Sequence, residues 1–146
     1  MGEPKHILIV GAGAIGGLYA GYLAKVADLT VLDTNRAHVD AIRSRGLELT
    51  GRTESETKLA AFEDAKEMGP RRFDAVVFLV KSQATEAAFH SVRPVLEGRP
   101  VLVTFQNGMG NEEVLMGLCD LDIAHGVSFE AARYDGPGRV HHLVHG

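Results

Sequence analysis

Gly11-Ala12-Gly13-Ala14-Ile15-Gly16, directly behind the apolar run Ile7-Leu8-Ile9-Val10, constrains this chain more than any other segment. The spacing fits G-x-G-x-x-G at a strand-to-helix turn, where each glycine has a steric task. Gly11 allows the tight turn, Gly13 lets a pyrophosphate approach the backbone, and Gly16 lets the helix close onto the strand. The first amides of that helix have no intrahelical acceptor and carry partial positive charge, so they favour a phosphate. A second apolar run, Leu29-Thr30-Val31-Leu32, ends in Asp33, 22 positions after Gly11. A dinucleotide fold places its ribose-binding acid about 20 residues after the turn. A bare glycine turn without a ligand would not require this agreement of strand, glycines, helix and acid.

The rest of the chain is compatible with one soluble α/β domain. A length of 146 residues is enough for a substantial core, and 45% hydrophobic with 23% charged residues is an ordinary globular composition. The net charge of −4, without a basic run, argues against a nucleic-acid surface. A single cysteine, Cys119, forms no internal disulfide, which is consistent with a cytoplasmic setting. Ile7 to Ala24 is an uncharged stretch of 18 residues, close to the length of a membrane span. Its five glycines are better explained by a strand, a turn and a buried helix, so no membrane span or targeting signal is expected.

Strand and helix patterns alternate, which predicts a doubly wound, mostly parallel sheet of the Rossmann type. Strands are expected at 6–10, 29–33, 74–80, 100–105 and 122–128, and helices at 14–26, 36–45, 83–96 and 111–117. Gly46 is expected to end the second helix, and Asn111 to cap the last by its side chain. Residues 47–60 suggest a short hairpin or an irregular third strand. Tyr134-Asp135-Gly136-Pro137-Gly138 is expected to turn a C-terminal β-hairpin whose second arm spans 139–145. The closing Leu143-Val144-His145-Gly146 has the composition of a strand interior, so the chain is expected to be a piece of a longer protein.

In such a sheet, ligands bind at the carboxyl ends of the strands, where strand order reverses. Lys81 falls there and suits a phosphate, a ribose hydroxyl or a substrate carboxylate. A solvated lysine is the plainer alternative, although a cation at a helix start opposes the helix dipole. Asn107 falls at the next strand end, where its amide could bond a nicotinamide ribose or a substrate carbonyl; Asn-Gly is also a common plain turn. His141, His142 and His145 invite a metal reading, but alternation along a strand is expected to separate His142 from the other two. No metal site is expected. A serine hydrolase is unsupported, because the chain has no G-x-S-x-G elbow.

Together these segments resemble the N-terminal domain of the ketopantoate reductases (2-dehydropantoate 2-reductases). The matching text is GAGAIGGLYAGYLA, VKS at 80–82, QNGMGNEE at 106–113, EAARYDGPGRV at 130–140 and the closing HHLVHG. The resemblance covers nearly the whole chain, and the asparagine-glycine segment and the Ala-Ala-Arg hairpin make it more specific than the glycine turn alone. It implies an oxidoreductase of pantothenate biosynthesis that moves hydride from a nicotinamide cofactor to a 2-oxo acid. It also implies that Lys81 and Asn107 contact cofactor and substrate, and that the Ala132 backbone meets the nicotinamide end. The family's general acid comes from a helical domain that nothing in this chain matches, and a homodimer through that domain is possible.

The expected cofactor residues are therefore Gly11, Ala12, Gly13, Ala14, Ile15, Gly16, Asp33, Arg36, Lys81, Asn107 and Ala132, with Lys81 and Asn107 also facing substrate. Many family members carry an arginine just after the second strand, suited to the 2′-phosphate of NADP. Here the text is Asp33-Thr34-Asn35-Arg36. Asp33 favours NAD, whereas the family favours NADP and Arg36 could still reach a phosphate. Two other functions fit the same sheet: a nucleotide-sensing regulatory domain, and another 2-oxo or 3-hydroxy acid dehydrogenase.

Overall fold

The computed structural model describes residues 2–106 and 109–146. It begins with β1 (His6–Val10), α1 (Ala14–Leu23), β2 (Asp28–Leu32) and α2 (Arg36–Arg45). Next come β3 (Leu47–Gly51), β4 (Ser55–Thr57), β5 (Ala60–Phe62), α3 (Ala65–Met68), β6 (Arg71–Arg72) and β7 (Ala75–Phe78). The chain continues through α4 (Thr85–Val92), β8 (Leu96–Glu97), β9 (Val101–Thr104), α5 (Asn111–Leu118) and β10 (Ile123–His125). It closes with β11 (Ala131–Gly136) and β12 (Arg139–Val144).

Six strands form one sheet in the order β10-β9-β7-β1-β2-β5, and every pairing in it is parallel. Strand order reverses between β1 and β7, so the carboxyl ends of these two strands flank a crevice. Alternation along β1 divides the core. Leu8 and Val10 pack with Phe78, Phe89, Val92 and Leu115 on one face, and Ile9 packs with Leu18, Val31, Val39 and Ile42 on the other.

A second sheet, β11-β12-β3-β4, covers the outer side of α1. Here the hairpin expected at 47–60 and the C-terminal hairpin meet, through parallel pairing of β12 with β3. Helix α1 therefore has a sheet on each side, and small residues make this possible. A Cβ on Gly17 would lie 2.7 Å from the Val140 side chain, and one on Gly21 would lie 2.5 Å from Leu49.

Several boundaries differ from expectation, each for a local reason. Helix α1 stops at Leu23 instead of residue 26, because Lys25 and Val26 donate to carbonyls three residues back and tighten the last turn. The helix expected at 83–96 is α4 between two short 3₁₀ turns, Ser82–Ala84 and Arg93–Val95; Pro94 has no N–H with which to continue it. The strand expected at 122–128 ends at His125, and Gly126 then passes tightly against the Phe105 ring. The cap of α5 is Gly110 at φ +99°, not Asn111, which lies buried in the first turn. Gly46 ends α2 as expected, at φ +90°. No described helix is long and apolar enough to cross a membrane.

Candidate functional site

The glycine turn joins β1 to α1 at the centre of the six-stranded sheet. Gly11 has φ +93°, and a Cβ there would lie 2.7 Å from the Val80 nitrogen, so backbone conformation and space both require glycine. A Cβ on Gly16 would overlap the Gly11 carbonyl oxygen. A Cβ on Gly13, by contrast, would meet nothing within 4 Å. Gly11 and Gly16 are thus required by the protein's own packing, and Gly13 faces open space.

Helix α1 begins at Ala14, with Gly13 as its cap. No side chain caps this end and no acidic residue stands in the first turn. The backbone N–H groups of Ala14, Ile15 and Gly16 are therefore available to an anion, and the dipole favours one.

Asp33 lies one residue past β2. Its Oδ2 accepts from the Ala12 N–H at 2.8 Å and its Oδ1 from the Asn35 N–H at 2.8 Å. The carboxylate thus braces the glycine turn, and each oxygen retains lone-pair capacity for a further donor. A cavity of about 520 Å³ opens beside it, lined by Val10, Gly11, Leu32, Asp33, Thr34, Val80, the segment from Glu63 into α3, and two residues of α4. A larger hollow of about 620 Å³ lies at the amino ends of the strands, among Lys5, His6, Asp74 and Arg99. The cavity at Asp33 is the better candidate, because the strand-order reversal opens its crevice at the carboxyl ends.

The remaining expected residues are distributed unevenly. Arg36 opens α2 and is mostly exposed, with its Nε 3.3 Å from Glu63 Oε2. Lys81 is exposed just beyond the end of β7 and precedes the 3₁₀ turn into α4. Ala132 lies on β11, half-buried and paired with His142. Asn107 lies outside the described residues, but the residue before it is firmly held. Gln106 is buried; its Nε2 donates to the Val80 carbonyl at 2.7 Å and to Thr85 Oγ1 at 2.8 Å, and its Oε1 accepts from Thr104 Oγ1 at 3.0 Å. This amide fixes the end of β9 against the end of β7 and the start of α4.

Sequence reasoning missed His38. It is buried on α2, with Nε2 2.6 Å from the Ala12 carbonyl, and Gly138 N–H donates to its Nδ1 at 2.9 Å. A backbone N–H on Nδ1 requires that nitrogen to be an acceptor, so Nε2 carries the hydrogen and donates to the glycine turn. The only signal in the sequence is a polar residue at an apolar position of an amphipathic helix.

The terminal histidines differ from expectation. His142 and His145 do meet at Glu130, because the strand ends at Val144 and alternation does not extend to His145. Glu130 Oε2 lies 2.8 Å from His142 Nε2, and Glu130 Oε1 lies 2.8 Å from His145 Nδ1. The three donor atoms lie within 4.8 Å of one another. His142 Nε2 also faces the Val144 carbonyl at 3.0 Å, so it donates to two oxygens, and Nδ1 lies 2.9 Å from the Thr53 hydroxyl and 3.1 Å from that of Tyr22. These bonds satisfy the buried ring and clip the second sheet together.

The strand order, the glycine turn and the acid after β2 define a doubly wound α/β domain of the dinucleotide-binding class. Within that class, residues 7–146 match the family model for ketopantoate reductase PanE/ApbA. The chain belongs to that family. A 2-dehydropantoate 2-reductase from Pyrococcus abyssi is 35% identical over 134 residues, which cover 92% of this chain and 43% of the relative. A PanE/ApbA family ketopantoate reductase from Ralstonia eutropha JMP134 superposes with a TM-score of 0.88 at 31% identity, covering 97% of this chain and 47% of that one. A D-mandelate dehydrogenase solved with NADH and anilino(oxo)acetate shares the fold, at 22% identity and a TM-score of 0.85, over 95% of this chain and 46% of that one. The chain thus spans less than half the length of these relatives.

Proposed function

We infer that this chain is the cofactor-binding part of a nicotinamide-dependent reductase acting on a small 2-oxo acid. The observation that carries the reading is the division of labour among the glycines. Gly11 and Gly16 are required by packing, whereas Gly13 leaves a space that nothing in the fold needs. That space lies beside uncapped helix amides, where a pyrophosphate would sit. The bound dinucleotide would supply hydride. The chain would bind its pyrophosphate through the amides of Ala14, Ile15 and Gly16 and accept its adenosine ribose hydroxyls on Asp33. Lys81, Asn107 and the Ala132 backbone would face the nicotinamide half and the oxo acid, as the family resemblance implies. The Asp33 carboxylate favours NAD, because a 2′-phosphate beside it brings like charges together.

Replacing Gly13 by valine tests the reading. The side chain enters the space a pyrophosphate would occupy, so calorimetry on a variant whose circular dichroism matches the parent is expected to record loss of NADH affinity. Unchanged affinity in a folded variant would move the pyrophosphate elsewhere.

A further inference from the structure

Among the described residues, the cavity beside Asp33 is lined by four carboxylates, Asp33, Glu63, Asp64 and Glu67, and by no lysine or arginine. Two of the four have other duties. Asp64 accepts from the Lys66 N–H at 2.9 Å and caps α3, and Glu67 lies 3.2 Å from Arg43. Glu63 differs from both. It follows β5 directly, and the Asp33 N–H donates to the carbonyl of its neighbour Phe62 at 3.1 Å. This bond holds the ends of β2 and β5 together, so the carboxylates of Asp33 and Glu63 border one space. Glu63 also pairs with Arg36, the cation nearest in sequence to Asp33 and the candidate to meet a ribose 2′-phosphate.

We propose that Glu63 is a specificity-determining residue: it engages Arg36 and adds a second negative charge beside Asp33, so that the site takes a ribose 2′-hydroxyl and rejects a 2′-phosphate. The proposal rests on the dinucleotide reading above and adds to Asp33 a second residue that sets its cofactor preference. A phosphate dianion needs a guanidinium with free N–H groups aimed at it. Here it would have to draw Arg36 from Glu63 and then remain near two carboxylates. Arg36 is 78% exposed and Glu63 37% exposed at the side chain, so the pair alone is a weak latch. Repulsion by the two carboxylates that border the cavity is the larger effect, because the backbone bond from Asp33 to Phe62 keeps Glu63 beside that space whether or not it holds Arg36.

The test titrates NADH and NADPH into the parent chain, Glu63→Gln, the double variant Glu63→Gln/Arg36→Ala, and Glu3→Gln as a charge-matched control at the other end of the sheet. The parent is expected to prefer NADH. Glu63→Gln should move the NADPH-to-NADH affinity ratio about five- to tenfold toward NADPH, the order expected for removing one nearby like charge. Adding Arg36→Ala should remove only the smaller part of that gain, the part due to a freed guanidinium, and Glu3→Gln should leave the ratio alone. An unchanged ratio in Glu63→Gln, or a parent that already prefers NADPH, would overturn the role of Glu63 and leave the dinucleotide reading intact. A folded parent that binds neither dinucleotide would overturn both.

Discussion

His38 joins three parts of the molecule through the two nitrogens of one ring: helix α2, the glycine turn at Ala12 and the hairpin turn at Gly138. Because the site is closed to water, neither partner has a substitute. Leucine fills similar space without either bond, so His38→Leu leaves a buried N–H and a buried carbonyl unpaired. Each such group costs about 1–3 kcal/mol, and the variant is expected to lose about 2–5 kcal/mol of stability in urea unfolding. An unchanged midpoint would show that the two groups find partners after relaxation. Asp33 behaves similarly on a smaller scale. Asparagine has one acceptor oxygen for two backbone donors, so Asp33→Asn should cost about 1–2 kcal/mol in the same measurement. These bracing roles were not legible in the sequence, whereas the candidate ligand-facing residues were named from it. Glycine spacing and an acid after a strand are local signals, whereas the bonds from His38 to Gly138 and from Gln106 to Thr85 cross long stretches of chain. Glu63 was passed over for the same reason, since its meaning depends on β5 lying beside β2.

At the scale of elements, Asp74 ties together the amino ends of three parallel strands. Its Oδ2 accepts from the His6 N–H at 2.8 Å, its own N–H donates to the His6 carbonyl at 2.8 Å, and its carbonyl accepts from Val101 at 3.0 Å. The His6 N–H, followed by the charge of Lys5, holds the Asp74 carboxyl below its ordinary value of 3.8. A carboxyl that is more acidic in the folded state stabilises fully above its unfolded value and loses that contribution as pH falls through the folded one. Asp74→Asn should therefore melt below the parent at neutral pH, and the gap should close as the pH drops below about 3.8. A gap that persists to the lowest pH would assign the effect to geometry instead of charge. The order of elements was readable because apolar runs alternate with amphipathic ones, and β1, β2 and α2 fall within a residue of expectation. What escaped were short pieces: β5, α3, β6 and β8 span four residues or fewer. Such pieces carry too few side chains to show a period and exist because neighbouring strands offer them hydrogen bonds. The second sheet escaped for a related reason. Each hairpin is visible locally, but their pairing depends on Gly17 and Gly21 letting β12 and β3 close over α1.

For the molecule as a whole, the decisive question is how much of a reductase these 146 residues contain. The glycine turn, Asp33 and the Gln106 brace build one wall of a cleft at the carboxyl ends of the sheet. Reduction of a 2-oxo acid also requires a proton for the developing alkoxide, and a positioned acid is worth a factor of about 10²–10⁴. Holding the oxo acid against the nicotinamide is a further large contribution, which a cleft with one wall supplies poorly. Lys81 is the nearest candidate for a local acid, but it is exposed, and the family resemblance gives its position a binding role. The relatives are more than twice as long as the segment matched here. Residues 1–146 assayed alone are therefore expected to bind NADH while oxidising it with ketopantoate or other 2-oxo acids at least a hundredfold more slowly than a full-length relative, the factor a positioned acid supplies. The measurement is NADH oxidation by the two proteins side by side at saturating cofactor. Comparable rates would place a working acid within these residues, and Lys81→Met would then be the variant to identify it. A slow rate with intact binding would instead support a division of the enzyme in which this domain holds the hydride donor and the acid comes from outside it.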